Sequence, residues 1–291
     1  MTHSNLKRLA GMAAVVAGLG AQPAGAAGVN PDLSTWACTG SCGTLGADGD
    51  ITLSPYGSAR YAYLTTSNSA AHGVSPLDIV ESGGGGADFS QTNGSAYTSA
   101  PFTLAAGESV EAYFNYVSTD GKGFDDYAWA RLIDGNGATA AWLFTARSTN
   151  GNKQNVVPGN ALSKATNNTV DFDPDATIVN YQDFEFNTRT TQSSDFDPID
   201  WSPLGAWNGT CWRDNAEGCG FSGWLLSRVT PGAGTYQMEV GVVNFGDEAW
   251  DSGIAFDLQG LAAPQPVPVP AALWLLGSAI PLLARSRRRA S

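Results

Sequence analysis

The sequence predicts an all-β fold: an antiparallel β-sandwich of jelly-roll type, with a long irregular loop region and a short apolar signal helix at each end. Three observations predict it. Apolar and polar residues alternate along several short stretches, the period of a strand with one buried face. No stretch after residue 27 sustains the 3.6-residue period of a helix. The composition, with 35 glycines and few Lys or Glu, suits turns and strands more than helices. Antiparallel sheets with one face on a core and one in water read this way.

The elements follow in order. Residues 51–53 and 59–64 are short strand candidates. Along 109–117, Val110, Ala112, Phe114 and Tyr116 point one way and Glu111, Tyr113 and Asn115 the other. Residues 127–133 and 138–146 flank Asp134-Gly135-Asn136-Gly137, a hairpin turn signal. Residues 223–229 form a further short candidate. Tyr236, Met238, Val240 and Val242 share a face opposite Gln237, Glu239 and Gly241, and Ile254, Phe256 and Leu258 alternate with Ala255, Asp257 and Gln259. Between residues 148 and 221 the regularity stops for 74 residues rich in Asn, Asp, Thr and Trp, with 177–181 the main strand candidate. Irregular segments of that length in a compact domain are commonly functional. Gly83 to Gly86 is a joint and not a phosphate loop, because no Lys-Ser/Thr follows it.

The ends divide the chain into three parts. Residues 1–26 have the layout of a signal peptide: Lys7 and Arg8, an uncharged 11-residue run over 9–19, and the small residues Ala24-Gly25-Ala26, which place the mature start near Ala27. Residues 27–263 are the sandwich domain. In the tail, 264–291, Pro264, Pro266, Pro268 and Pro270 make a stiff extended spacer. An uncharged apolar run of 14 residues, 271–284, follows, and then Arg285, Arg287, Arg288 and Arg289. As a helix that run covers about 21 Å, short of the roughly 30 Å hydrocarbon core. It is a short transmembrane segment suited to transient anchoring, with the arginines held on the cytoplasmic side.

The stretch Val267-Pro268-Val269-Pro270-Ala271-Ala272-Leu273-Trp274-Leu275-Leu276-Gly277-Ser278, with the terminal arginines, resembles a PEP-CTERM sorting signal. Val269 stands where that motif usually has glutamate, and Pro281 interrupts the apolar run. The resemblance implies removal of the tail by an exosortase after signal peptidase has acted. It also implies a Gram-negative producer that makes extracellular polysaccharide. Residues 114–118, 126–132 and 234–257 are similar to strands of jelly-roll modules in other sorted surface proteins, a family without an assigned activity. The resemblance therefore supports a fold and an address and supplies no catalytic residue.

Charge narrows the partners. Six of the 15 basic residues sit in the two terminal segments and no acidic one does, so nine basic and 27 acidic residues remain, a net charge of about −18. Nucleic acid and anionic membrane surfaces are disfavoured as partners. All four cysteines, Cys38, Cys42, Cys211 and Cys219, lie in the exported part, where disulfides persist. Three pairings are possible. The short separations favour 38 with 42 and 211 with 219. Zinc is disfavoured, because the spacing does not fit a zinc ribbon and His72 is the one histidine outside the signal peptide.

Three chemistries have candidate residues. Asp171, Asp173 and Asp175 alternate, and Asp195 and Asp197 repeat the Asp-Phe-Asp-Pro pattern, with Asp200 close behind. Hard carboxylate oxygens at such spacing suit Ca²⁺ when prolines bend the chain to converge them. The EF-hand pattern fails at Ala176 and Gln182, and solvated acidic turns are the competing reading. Asp48-Gly49-Asp50 is a further calcium candidate. Trp201, Trp207 and Trp212 lie beside Asn208 and Asp200, the combination with which β-sandwich lectins stack and hydrogen-bond sugar rings. The competing reading is a plug that buries a disulfide-stapled loop onto the sheet. Trp129 and Trp142 read as core. For catalysis, His72 lacks a nucleophile-elbow context. Glu111 and Glu239 are the strand acids that a glycosidase of this fold would use.

The expectation is an exported, exosortase-sorted surface or matrix protein, non-enzymatic and associated with exopolysaccharide. The alternatives are a calcium-dependent carbohydrate-binding module and a polysaccharide-degrading enzyme. Intact-mass spectrometry of protein recovered from the producing cell should show a start near Ala27 and no residues beyond the proline motif. Full-length chain at the surface would contradict both terminal readings.

Overall fold

The computed structural model describes residues 33–77, 79–82, 88–120, 126–147, 157–158, 177–178, 187–188, 199–212 and 219–259. They form two antiparallel sheets packed face to face, an all-β sandwich. The first sheet runs β1 (Ala37–Thr39), β6 (Asp88–Thr98), β16 (Gly234–Phe245), β9 (Tyr127–Asp134), β10 (Thr139–Arg147) and β11 (Val157–Pro158). The short strands β4 (Ala71–His72) and β5 (Val80–Ser82) pair with β6, and β7 (Phe102–Leu104) pairs with β16. The second sheet runs β12 (Thr177–Ile178), β15 (Leu225–Val229), β8 (Val110–Ser118), β17 (Ser252–Gln259), β3 (Tyr61–Thr65) and β2 (Ser41–Leu45). Two-residue strands β13 (Asn187–Thr188) and β14 (Gly220–Phe221) extend it beside β8.

The alternating stretches became the strands they predict. Tyr236, Met238, Val240 and Val242 on β16 face Phe114, Tyr116, Phe256 and Ile254 of the other sheet in one buried core. Phe114 and Phe144 stack across the two sheets at 4.9 Å between ring centroids. Each fully buried side chain of this kind stabilises the fold by about 2 kcal/mol. The Asp134–Gly137 turn closes the β9–β10 hairpin as its sequence implies: Asp134 Oδ1 accepts from the backbone N–H of Asn136 and Ala138. Those bonds hold the Asp134 carboxyl below the usual carboxylate range.

Residues 51–53 are not a strand. Ile51 makes only an isolated bridge with Asp48 and buries its side chain under a loop. The larger departure is β6, which has no apolar alternation to announce it. Its Asn93 and Ser95 turn inward because the backbone of the β3–β4 connection needs partners there. Asn93 Nδ2 donates to the Thr66 and Ser69 carbonyls, and Ser95 Oγ donates to the Thr65 carbonyl at 2.6 Å.

At Gly40 the chain leaves the first sheet as β1 and enters the second as β2. This glycine has φ +87°, and a Cβ would fall 2.7 Å from the Gly94 carbonyl oxygen, so no other residue fits the corner. The Cys38–Cys42 disulfide spans that corner and ties the two sheets at their common edge. Cys211 and Cys219 form the second bridge. Both local pairings are therefore present, the chemistry of an oxidising compartment.

The outer faces are drier than simple alternation implies. On the second sheet Tyr61, Val117 and Ala255 are covered by Ile51, Ile199, Trp201 and Leu204 from the loops. On the first, Tyr127, Trp129, Val243 and Phe245 are covered by Leu77 and Ile79. Trp129 is fully buried and Trp142 half-buried in this satellite cluster, so they are core residues of an outer layer and not of the inter-sheet core. Among the described residues no helix is long and apolar enough to cross a membrane. The segments expected to be a signal peptide and a sorting tail, the latter including Val267, Pro268, Val269, Pro270, Arg285, Arg287, Arg288 and Arg289, lie outside the described residues.

Gly241 sits opposite Trp129 in the β16–β9 pairing, and a Cβ there would lie within the indole ring. Gly241→Ala should lower stability by about 1–3 kcal/mol in urea unfolding. Gly135→Ala, which meets only open space, should shift it by under about 0.5 kcal/mol.

Candidate functional site

The three tryptophans singled out from the sequence have different fates. Trp201 is fully buried. Its ring lies against Gly253 and Tyr63 on the outer face of the second sheet, and its Nε1 donates to Tyr61 Oη at 2.9 Å. Its backbone N–H donates to Asn208 Oδ1 at 2.6 Å, closing the turn that follows. Trp201 is the plug that seats the loop. The sugar-contact assignment is corrected for this residue, because a ring with no exposed face stacks with nothing from solvent.

Trp207 and Trp212 are partly buried and meet a third ring, Trp250. The Trp207 and Trp250 centroids are 4.2 Å apart at 30°, and those of Trp212 and Trp250 are 5.7 Å apart at 55°. The three belong to two loops: Trp207 ends a 3-10 segment (Ser202–Trp207), Trp212 adjoins the buried Cys211, and Trp250 lies in the β16–β17 connection. Trp250 is legible in the sequence only as a large aromatic inside a short acidic turn, Asp247-Glu248-Ala249-Trp250-Asp251.

Backbone hydrogen bonds fix the cluster. Thr119, just past β8, donates its N–H and its hydroxyl to the Asp251 carbonyl, and its own carbonyl accepts from Trp212 N–H at 3.0 Å. One residue thus holds the loop of Trp212 against the loop of Trp250. The buried carboxylate of Asp126 spans the second loop from end to end, with Oδ1 accepting from Phe245 N–H at 2.8 Å and Oδ2 from Ser252 Oγ at 2.7 Å. Asp251 Oδ1 accepts from Thr66 Oγ1 at 2.9 Å. Burial pushes the Asp251 carboxyl above its usual range, and the hydroxyls of Ser67 and Thr66 oppose that shift.

Trp250 itself has φ +61°. Among the described residues only Asn68 shares a positive φ without being glycine, and asparagine tolerates that region where a bulky residue does not. A left-handed backbone costs about 1–2 kcal/mol, and strain of this kind gathers where a side chain must be aimed rather than merely packed.

The remaining candidates resolve otherwise. Asp48 Oδ2 accepts from the N–H and hydroxyl of Ser202, and Asp50 Oδ2 accepts from Asp200 N–H, so the Asp48-Gly49-Asp50 turn latches the returning loop. Asp171, Asp173, Asp175, Asp195 and Asp197 lie outside the described residues, among which no group of three potential ligands is arranged to hold a metal ion. Glu111 and Glu239 stand on the outer faces of opposite sheets, since Ala112 and Val240 beside them face the common core. They cannot serve one substrate as a pair. Glu111 is paired with Arg228, and Glu239 accepts from Arg131 Nε at 2.7 Å and Trp129 Nε1 at 3.1 Å. His72 is exposed, with Nδ1 donating to the Thr92 carbonyl at 3.1 Å. No family model matches the sequence, and no curated protein matches it.

The strain at Trp250 has a measurable signature. At an ordinary position glycine is less stable than alanine. Here Trp250→Gly should be more stable than Trp250→Ala, by about 1 kcal/mol in chemical unfolding. The usual order of the two variants would show that position 250 is unstrained.

Proposed function

We propose that this chain is an exported, exosortase-sorted surface or matrix protein without catalytic activity, whose sandwich contacts extracellular polysaccharide through Trp207, Trp212 and Trp250. The carrying observation is the part-exposed cluster of three indoles at one end of the sandwich, with Trp250 held in a costly backbone conformation. Aromatic faces offer the apolar C–H surfaces of sugar rings a stacking partner, and the carboxylates and amides around them suit hydroxyls. The sorting-signal resemblance supports the address, and the two disulfides fit a protein that works outside the reducing cytoplasm. The enzyme alternative loses its strand pair, because Glu111 and Glu239 lie on opposite outer faces.

Native gels cast with polysaccharide should retard the protein. Trp207→Ala and Trp250→Ala should each weaken binding at least about fivefold, the equivalent of about 1 kcal/mol per lost stacking contact. Leu53→Ala, which removes an exposed apolar side chain on another loop, should leave retardation unchanged. Equal migration of all three variants and the parent would reject the tryptophan surface as the contact.

A further inference from the structure

We infer that the polymer held at the tryptophan cluster is uncharged, a neutral polysaccharide and not an acidic one; the inference rests on the polysaccharide reading above. The loop that presents Trp250 carries Asp247 and Glu248 within three residues of it, while Asp251 is buried against Thr66 and faces away from solvent. Glu248 is well exposed, and its basic neighbour is His72, whose Nε2 lies 3.9 Å away and is also exposed. Ionised carboxylates only accept hydrogen bonds. They suit sugar hydroxyls, which donate, and oppose a uronate or sulfate, which brings a second acceptor and a second negative charge.

The arginines of the described residues are committed elsewhere. Arg131 pairs with Glu239 and Arg228 with Glu111, while Arg60 donates to Thr44. Arg147 is buried in the first sheet. Next to the cluster in sequence, Arg213 follows Trp212 and Lys122 lies three residues beyond Thr119, but Asp214 and Glu217 share the first stretch and Asp120 and Asp125 the second. With nine basic and 27 acidic residues between the terminal signals, the surrounding field is negative as well. An anionic chain stacked on these rings would lie within a Debye length, about 8 Å at physiological salt, of like charges. A neutral chain meets no such barrier.

The test is affinity electrophoresis of the purified full-length protein in galactomannan and hydroxyethyl cellulose, both neutral, and in alginate and hyaluronan, both acidic. Gels are run at 20 mM and 500 mM NaCl, with EDTA or with 1 mM Ca²⁺. The expected result is retardation by a neutral polymer that is unchanged by salt and lost in Trp207→Ala, with acidic polymers at least about tenfold weaker at 20 mM NaCl. The double variant Asp247→Asn, Glu248→Gln should narrow that gap severalfold by strengthening retardation in alginate and hyaluronan at 20 mM NaCl. Tryptophan-dependent retardation by alginate or hyaluronan as strong as by the neutral polymers, with or without Ca²⁺, overturns the inference and leaves the polysaccharide reading intact. Unchanged retardation of Trp207→Ala by every polymer rejects the tryptophan cluster as the contact, absence of retardation by all four polymers overturns the polysaccharide reading, and either result removes this inference with it.

Discussion

Asp126 joins the two sheets where they would otherwise part. It stands at the entrance of β9 in the first sheet, bonds the last backbone N–H of β16 in the same sheet, and bonds the first side chain of β17 in the second. Ser252 also shares a hydrogen bond with Ser118 at the end of β8, so β8 is linked to the same carboxylate through Ser252. A buried carboxyl is costly unless its oxygens are satisfied. This position supplies a donor to each of them, Phe245 N–H to one and Ser252 Oγ to the other. Removing it would strand the Phe245 N–H in the interior, a cost of about 1–3 kcal/mol.

That constraint reaches the surface through a chain too short to absorb it. Between the two bonds of Asp126 lie only Gly246 to Asp251, and Asp251 is pinned again by Thr66 and Thr119. Gly246 takes φ +90° without penalty, whereas Trp250 takes +61° against its own preference. The turn is thus determined by its ends, and the indole is delivered to Trp207 and Trp212 whatever the local cost. A loop with slack would relax the backbone and lose the stack.

Where sequence reading succeeded, the residue type and the environment agreed. The periodic strands β8, β9, β10, β16 and β17 were legible because leucine, valine and aromatic residues on alternate positions have one place to go. The cysteine pairs were legible because each partner lies within eight residues of the other, so a local bridge needs no long-range closure. β6 was not legible: Asn93 and Ser95 look like loop residues until the Thr65–Ser69 backbone comes to lie beside them, and only the fold provides that partner. Of the site, Trp207 and Trp212 could be nominated from composition. Trp250 could not, because a lone aromatic in a turn announces nothing until the two loops meet through Thr119.

Trp201 and Trp207 show most sharply why residue type alone leaves function open. They lie six positions apart in one loop, with amide and carboxylate neighbours in both cases. What separates them is the glycine each meets. Gly253 leaves a gap in the outer face of the second sheet, and Trp201 fills it, with Tyr61 satisfying its Nε1. Gly205, at φ +58°, turns the chain sharply over Ser67 before it reaches Trp207, so the second ring emerges beyond the end of the sheet. It finds Trp250 rather than a gap. The same side chain is therefore structural where the sheet has a vacancy for it and available for binding where the backbone carries it past the edge.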